Sequence, residues 1–235
     1  MNNDQVEVRK LGLIDYKDAW DYQESLFEKI VEAKQQKRKW KTDIKTPNYL
    51  LFCEHPHVYT IGKSGKEANL LINEEMLARR GASLYKINRG GDITYHGPGQ
   101  LVGYPILDLD NFGLSIKSYI DRLEEVIIRT LKRYGINSTR SEGATGVWLD
   151  VDNPIKARKI CAIGVRTSHW VSMHGFAFNI RTDMSYFDHI IPCGIQGKSV
   201  TSLKQELGRE VDINEVQNFV QKEFEEVFSL KMINS

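Results

Sequence analysis

The stretch GVWLDVDNPIKARKICAIGVRTSHWVSMHGFAFNI, residues 146–180, contains three runs of strand-forming side chains one after another. The runs cover residues 146–149, 159–167 and 173–180 and are rich in β-branched, aromatic and other apolar residues. Between the first two, residues 150–155 combine clustered Asp with an Asn-Pro pair, which favours an exposed turn. Because no helical pattern separates the runs, the stretch indicates consecutive strands without the alternation of βαβ units.

The rest of the chain adds strands and helices to this stretch. Further strand-like runs occupy residues 49–53, 83–87 and 101–107. Apolar residues at helical spacing, with capping residues at their ends, predict three long helices: Asp15 to about residue 39, Ser115 to Gly135, and Asp212 through Phe228. Strands outnumber the long helices, so we predict an α+β fold with a mixed β-sheet and flanking helices, in a single domain over residues 1–235.

The composition argues against several classes of protein. The formal net charge is +1 over 235 residues, which does not suit a dedicated nucleic-acid binder. No segment reaches the roughly 18 to 20 apolar residues of a membrane helix, and the first residues lack the features of a signal peptide. We therefore expect a cytoplasmic protein with no membrane association. The three cysteines form no Cys-x-x-Cys pair, so we expect free thiols and no zinc site.

Residues 89–100, RGGDITYHGPGQ, place four glycines, a proline, an arginine and a histidine between two strand-like segments. Glycine at this density lets backbone N–H groups turn outward and approach a ligand closely. Taken by itself, the run is consistent with an ordinary surface loop or with a loop that surrounds a bound molecule.

Two side chains outside that run are candidates for chemistry. Cys193 lies between a proline and a glycine, a setting that presents a side chain on a turn, whereas Cys53 and Cys161 lie in apolar strands and are interpreted as structural. Lys159 shares parity with Cys161, so it faces the same apolar surface if the pleat continues back to residue 159. A lysine placed in this way either extends its ammonium to solvent or is desolvated for function.

A basic cluster marks the end of the first predicted helix and consists of Lys34, Lys37, Arg38, Lys39 and Lys41. Cations are favoured at a helix C-terminus by the helix dipole, so the cluster can be a solvated helix end. It can also be a surface that attracts an acidic partner.

The glycine-rich run, continued by Leu101 and Val102, resembles the central motif of the lipoyl(octanoyl) transferase family. Other segments match the same family in the same order, and they are residues 54–62, 159–166, 174–179 and 191–195. This family moves an octanoyl group from acyl carrier protein onto a lysine of lipoate-dependent enzymes. Its fold is similar to the catalytic core of biotin and lipoate protein ligases.

The resemblance implies a mechanism and a set of site residues. Cys193 and Lys159 would form a catalytic dyad in which Cys193 carries the acyl group as a thioester, with no cofactor and no metal. Octanoyl-acyl carrier protein would be the donor, and lipoyl domains of 2-oxoacid dehydrogenase complexes and the glycine cleavage H protein would be the acceptors. The roles of His96 and His174 stay open, since each is either a satisfied structural residue or a residue that positions the substrate or handles a proton. The residues implied to bind the acyl group are Arg89, Gly90, Gly91, Asp92, Ile93, Thr94, Tyr95, His96, Ala162, Ile163, Gly164, Gly175, Phe176 and Ala177.

Two alternatives stay open beside this acyltransferase. An ATP-dependent lipoate or biotin protein ligase shares the fold, although residues 95–100 and the Pro-Cys-Gly sequence at 192–194 favour the transferase. The other alternative is a non-catalytic module that binds acyl groups or lipoyl domains. A strict requirement for ATP would distinguish the ligase from the transferase.

Overall fold

The computed structural model describes residues 3–40, 43–191 and 199–234. Its strands are β1 (Gln5–Leu13), β2 (Tyr49–Glu54), β3 (Val58–Ile61), β4 (Ser83–Lys86), β5 (Ile93–His96), β6 (Gln100–Ile106), β7 (Thr139–Arg140), β8 (Val147–Leu149), β9 (Arg158–Ser168), β10 (Val171–Asn179), β11 (Ser199–Val200) and β12 (Lys231–Asn234). Its α-helices are α1 (Tyr16–Trp40), α2 (Glu74–Arg79), α3 (Ile116–Arg133), α4 (Leu203–Leu207) and α5 (Ile213–Phe228), and 3₁₀ turns occupy Glu67–Asn69, Leu109–Phe112 and Met184–His189.

The strands form two sheets. The larger has the order β12-β1-β2-β6-β10-β9-β8-β7, with β11 also paired to β9, and the smaller has the order β4-β3-β5. In the larger sheet β1 is parallel to β2 and β12, and β11 is parallel to β9. The pairs that join β2, β6, β10, β9 and β8 are antiparallel. The mixed sheet with flanking helices predicted from the sequence is therefore confirmed.

Helices cover both faces of the larger sheet. On one face, α3 and α5 enclose a core that contains Phe176 and Phe224, and on the other face α1 packs through Leu26 and Ile30. Phe224 and Phe228 of α5 stack with their ring centroids 4.2 Å apart. Burial of side chains of this size stabilises the fold by about 1.5–3 kcal/mol each, so the helices fix the position of the strands between them.

The long helices begin and end where the local signals predicted. Ser115 accepts a hydrogen bond from the backbone N–H of Ser118 at the start of α3, and Gly135 follows the end of α3 with a φ of 73°. Asp212 caps α5 by accepting from the backbone N–H of Asn214. Across the described ranges, no helix is both long enough and apolar enough to cross a membrane.

Of the smaller sheet, β4 lies in the predicted run 83–87, whereas β3 and β5 were not predicted. Residues 89–100, expected to form a loop, contain β5, which pairs antiparallel with β3 through Thr60 and Thr94. β1 at the start of the chain and β12 near its end were also not predicted, and they pair with each other at one edge of the larger sheet.

A β-bulge changes the face on which Lys159 lies. β8 pairs with β9 through Val147 with Cys161 and then through Trp148 with Lys159, so Ile160 is an extra residue in β9. Ile160 and Cys161 both pack in the core beside α3 and α5. Because the extra residue reverses the pleat, Lys159 does not share the face of Cys161, and the parity expected from the sequence is wrong at this position.

Candidate functional site

A cavity of about 490 Å³ lies between β9, β10 and the segment that leads into β5. This volume is typical of sites for small molecules. Of the residues predicted to form the site, those that line the cavity are Arg89, Gly90, Gly91, Asp92, Ile93, Thr94, His96, Lys159, Ala162, Ile163, Gly164, His174, Gly175, Phe176 and Ala177. Their role in binding an acyl group stays a prediction.

Tyr95 does not line this cavity. Its ring stacks on Tyr186 with centroids 4.9 Å apart, and its hydroxyl forms a hydrogen bond of 2.7 Å with Nδ1 of His57. The side chain belongs to an aromatic cluster on the smaller sheet. The position of Tyr95 in the motif therefore serves packing, whereas the next residue, His96, reaches the cavity.

The wall of the cavity formed by residues 89–91 lies directly on β9. Gly90 donates a backbone hydrogen bond of 3.0 Å to the carbonyl of Val165, and a Cβ atom at Gly164 would lie 3.0 Å from the Gly90 carbonyl oxygen. A Cβ at Gly62 would lie 2.3 Å from the carbonyl oxygen of Gly91. Glycine at position 164 lets this segment lie against β9, and glycine at position 62 lets it lie against the residue that follows β3.

Arg89 brings a positive charge into this wall. Its guanidinium is largely buried and donates to the Thr60 carbonyl at 2.7 Å and to the Gly90 carbonyl at 3.0 Å. Together with burial, this charge contributes to lowering the pKa of His96 and of His174 to about 3. Burial is the largest cause in both cases. Both imidazoles are therefore neutral at physiological pH.

Lys159 presents its amino group at the cavity within a defined set of contacts. Nζ donates a hydrogen bond of 3.0 Å to the carbonyl of Thr145 and lies 4.7 Å from the centroid of the Trp148 ring. A ring face at this distance attracts a cation. The indole N–H of Trp148 donates to the Ala144 carbonyl at 2.8 Å, so Trp148 holds both the lysine and the segment that accepts from it.

The segment before β8 is held in turn by α3. The backbone N–H of Gly146 donates to Glu124 at 2.9 Å, and Arg140 forms an ion pair with the same carboxylate at 3.1 Å. Gly146 has a φ of 123°, which side chains rarely allow. The sequence offered no signal for Thr145 or Trp148 as neighbours of Lys159, because these contacts depend on the bulge in β9.

The described cysteines are buried. Cys53 is in β2 and Cys161 in β9, and burial raises the pKa of both thiols. A thiol that resists ionisation is a poor nucleophile, which agrees with the structural interpretation of both. Cys193 lies outside the described residues, as does Lys41 of the basic cluster. Val200, which follows Cys193 closely in the chain, pairs with Lys159.

The family of the chain follows from its similarity to known proteins. The family model for the lipoyl protein ligase A/B catalytic domain matches residues 15–225. Octanoyltransferase of Christiangramia forsetii is 60% identical over 231 residues, covering 98% of this chain and 98% of its own. Octanoyltransferase of Flavobacterium johnsoniae is 58% identical over 232 residues, covering 98% and 100%.

Solved structures of low sequence identity share the fold. A bi-partite lipoate protein ligase from Thermoplasma acidophilum matches with a TM-score of 0.67 at 18% identity, over 100% of this chain and 87% of that one. A lipoate-protein ligase A bound with ATP matches with a TM-score of 0.67 at 16% identity, over 100% and 90%. With the family model covering most of its length and relatives of 60% and 58% identity, this chain belongs to the lipoyl protein ligase A/B catalytic domain family.

Proposed function

We propose that this chain transfers an octanoyl group from a carrier-protein thioester to a lysine of an acceptor protein, through an acyl thioester on Cys193. The observation that carries the proposal is the position of Lys159, whose amino group is held at a cavity that is also walled by residues 89–94, Ala162 and Ala177. The relatives named octanoyltransferase, at 53–60% identity over most of both chains, support the choice of this reaction.

The first half of the reaction is an exchange of thioesters. The Cys193 thiolate attacks the carbonyl carbon of the octanoyl thioester, the bond from that carbon to the carrier sulfur breaks, and the carrier thiol takes up a proton. An unperturbed thiol with a pKa of about 8.5 is mostly protonated at neutral pH. The ammonium of Lys159 would favour the thiolate by opposite charge. In support, Val200 brings the chain back to Lys159 soon after Cys193.

The second half forms the amide. The amine of the acceptor lysine attacks the acyl thioester, its bond to the carbonyl carbon forms, the bond from that carbon to the Cys193 sulfur breaks, and Lys159 takes the amine proton. Once Cys193 is acylated its negative charge is gone, so Lys159 loses the charge that favoured its protonated form. This order of events lets one lysine serve both halves. Conversion of a thioester to an amide is favourable, so no nucleotide is required.

The partners that we propose are those implied by the family resemblance. We assign octanoyl-acyl carrier protein as donor, and lipoyl domains of 2-oxoacid dehydrogenase complexes and the glycine cleavage H protein as acceptors, in a cytoplasmic pathway of protein lipoylation. The small side chains of Ala162 and Ala177 line the cavity and would leave room there for a saturated chain. The space beside Gly164 and Gly175, expected to serve the same purpose, is taken by the backbone of Gly90 and Gly103.

Intact-protein mass spectrometry tests the acyl-enzyme directly. After incubation with octanoyl carrier protein, the chain should gain one octanoyl group that hydroxylamine removes and a lipoyl domain discharges. Cys193→Ala should abolish the adduct and the transfer, whereas Cys53→Ala and Cys161→Ala should retain both because those thiols are buried. Full transfer by Cys193→Ala would end the covalent mechanism.

Omission of ATP and magnesium separates the transferase from the ligases. Transfer from the carrier thioester should proceed at an unchanged rate without either, because the donor is already activated. A strict requirement for ATP would move the function to the ligases. Lys159→Arg provides a second check, since it should support acylation at most, as a guanidinium stabilises a thiolate but does not act as a base.

A further inference from the structure

A relay of amide side chains joins Lys159 to His96. Thr201 donates its backbone N–H to the Lys159 carbonyl at 2.9 Å, and the Thr201 carbonyl accepts from Nδ2 of Asn179 at 3.1 Å. Oδ1 of Asn179 accepts from Nε2 of Gln100 at 2.9 Å, and Oε1 of Gln100 meets Nδ1 of His96 at 2.8 Å. Gln100 and Asn179 are directly opposite each other on β6 and β10.

Backbone carbonyls fix the direction of every hydrogen bond in this relay. Because the Thr201 carbonyl only accepts, the group of Asn179 that faces it is the NH₂, and Oδ1 is turned to Gln100. Gln100 also donates to the Tyr95 carbonyl at 3.2 Å, which orients its amide in the same way. Its Oε1 is then the atom that faces His96, so Nδ1 of His96 carries the hydrogen.

The other nitrogen of His96 is consequently a bare acceptor. Within the described part of the chain, Nε2 has no hydrogen-bond partner. It is nevertheless not among the fully buried polar atoms that lack a partner, and the side chain lines the cavity. His174 differs in both respects. The NH₂ group of Asn88 donates to Glu24, so its Oδ1 accepts a hydrogen bond from Nε2 of His174. Nδ1 of His174 is buried without a hydrogen-bond partner.

We propose that the relay through Gln100 and Asn179 holds His96 as the Nδ1–H tautomer, so that Nε2 accepts a hydrogen bond from the amine of the incoming acceptor lysine. This inference rests on the proposed function for the identity of the amine. A bare nitrogen repels a carbonyl oxygen or an oxyanion, and the saturated acyl chain offers no N–H or O–H group. The acceptor lysine brings an N–H donor to the cavity at the step that forms the amide.

His96 acts here by orienting the amine and not by removing its proton. A group that stays neutral down to a pKa of about 3 is too weak a base to hold a proton taken from an amine. The proton therefore goes to Lys159, and the remaining N–H points to His96.

Nitrogen-15 NMR of histidine-labelled protein tests the tautomer without relying on activity. At pH 7, the two-bond couplings should show Nδ1–H at His96 and Nε2–H at His174. His174 is therefore an internal control that carries the opposite tautomer. Spectra of His96→Phe and His174→Asn assign the signals. An Nε2–H or doubly protonated His96 would overturn the inference. Gln100→Met should release His96 to a mixture of tautomers if the relay holds it.

Single-turnover kinetics test the role in the reaction. His96→Phe should slow discharge of the acyl-enzyme by a lipoyl domain about tenfold, as expected for one hydrogen bond, and should leave acylation by the carrier within about twofold. The pH dependence of discharge should keep its shape, because His96 does not titrate near neutrality. His169→Phe, at the exposed turn between β9 and β10, is the matched control and should affect neither step.

The outcomes separate this inference from the proposed function. If no acyl group forms on Cys193, the proposed function fails while the NMR result still decides the tautomer. If the acyl group forms and His96→Phe discharges it at the normal rate, the role of His96 is wrong and the transferase stands. Equal slowing of both steps would also contradict the role, since it indicates a general loss of structure.

Discussion

Replacing Gly146 by alanine should destabilise the protein and also displace the Thr145 carbonyl that accepts a hydrogen bond from Lys159. Gly146 has a φ of 123°, and a Cβ atom there would lie 2.5 Å from the Cys161 carbonyl oxygen in the paired strand. Backbone strain of this kind costs about 1–3 kcal/mol, and overpacking adds about 1–3 kcal/mol. We therefore expect a loss of about 2–6 kcal/mol in the free energy of unfolding. The Thr145 carbonyl that accepts from Lys159 is the adjacent peptide group, so transfer should slow as well.

Gly143→Ala in the same segment is the matched control. Gly143 also has a positive φ, of 70°, but no atom lies within 4 Å of a Cβ built on it. A left-handed alanine costs about 1–2 kcal/mol, so this variant should lose less. Urea unfolding of both variants gives the comparison, and the rate of octanoyl transfer reports on Lys159. If Gly143→Ala loses as much stability as Gly146→Ala, or more, the reasoning from the Cys161 contact is refuted.

Two further predictions concern acid stability and docking. His55 is buried and its pKa is lowered to about 4, chiefly by burial, so the unfolded chain binds a proton that the folded chain does not as pH falls from 6.5 towards 4. The free energy of unfolding should thus fall in this window by about 1.4 kcal/mol per pH unit more in the native protein than in His55→Gln, and equal slopes would refute this. In the basic cluster Lys34 already pairs with Asp108 and Asp110, so Lys37, Arg38 and Lys39 remain as the candidates for docking. Their joint replacement by Gln should raise KM for an acidic carrier and weaken its salt dependence, whereas Lys222→Gln on α5 should not, and unchanged kinetics in the triple variant would make the cluster a solvated helix end.

The elements predicted well from the sequence are those whose signals are local. Caps at Ser115 and Asp212 act within one helical turn, so the bounds of α3 and α5 could be derived without knowledge of the rest of the chain. The strand-like runs that became β9 and β10 were equally local signals. Strands β3 and β5 are short and are bordered by glycine-rich segments, so their pairing depends on contacts that no short window of sequence contains.

The bulge at Ile160 shows why the environment of Lys159 could not be derived by the same reasoning. Period-two alternation assumes an unbroken pleat, and one extra residue reverses the face of everything before it. The family resemblance identified Lys159 as a site residue, although it gave no information about the bulge. Its contacts with Thr145 and Trp148 follow from a register shift between β8 and β9 that the sequence does not mark.

The nitrogen that His96 presents to the cavity is determined by residues that are still more distant in the sequence. Gln100 is only four positions along the chain, but its amide is oriented by Asn179, which reaches it because β6 and β10 pair Gln100 with Asn179. A slip of that pairing by one residue would move Asn179 to the opposite face and leave the Tyr95 carbonyl as the group that orients the amide of Gln100. The tautomer of His96 would then depend on that longer hydrogen bond of 3.2 Å. The chemical character of one residue in a short motif therefore depends on the register of two strands that are distant in sequence as well as on its near neighbours.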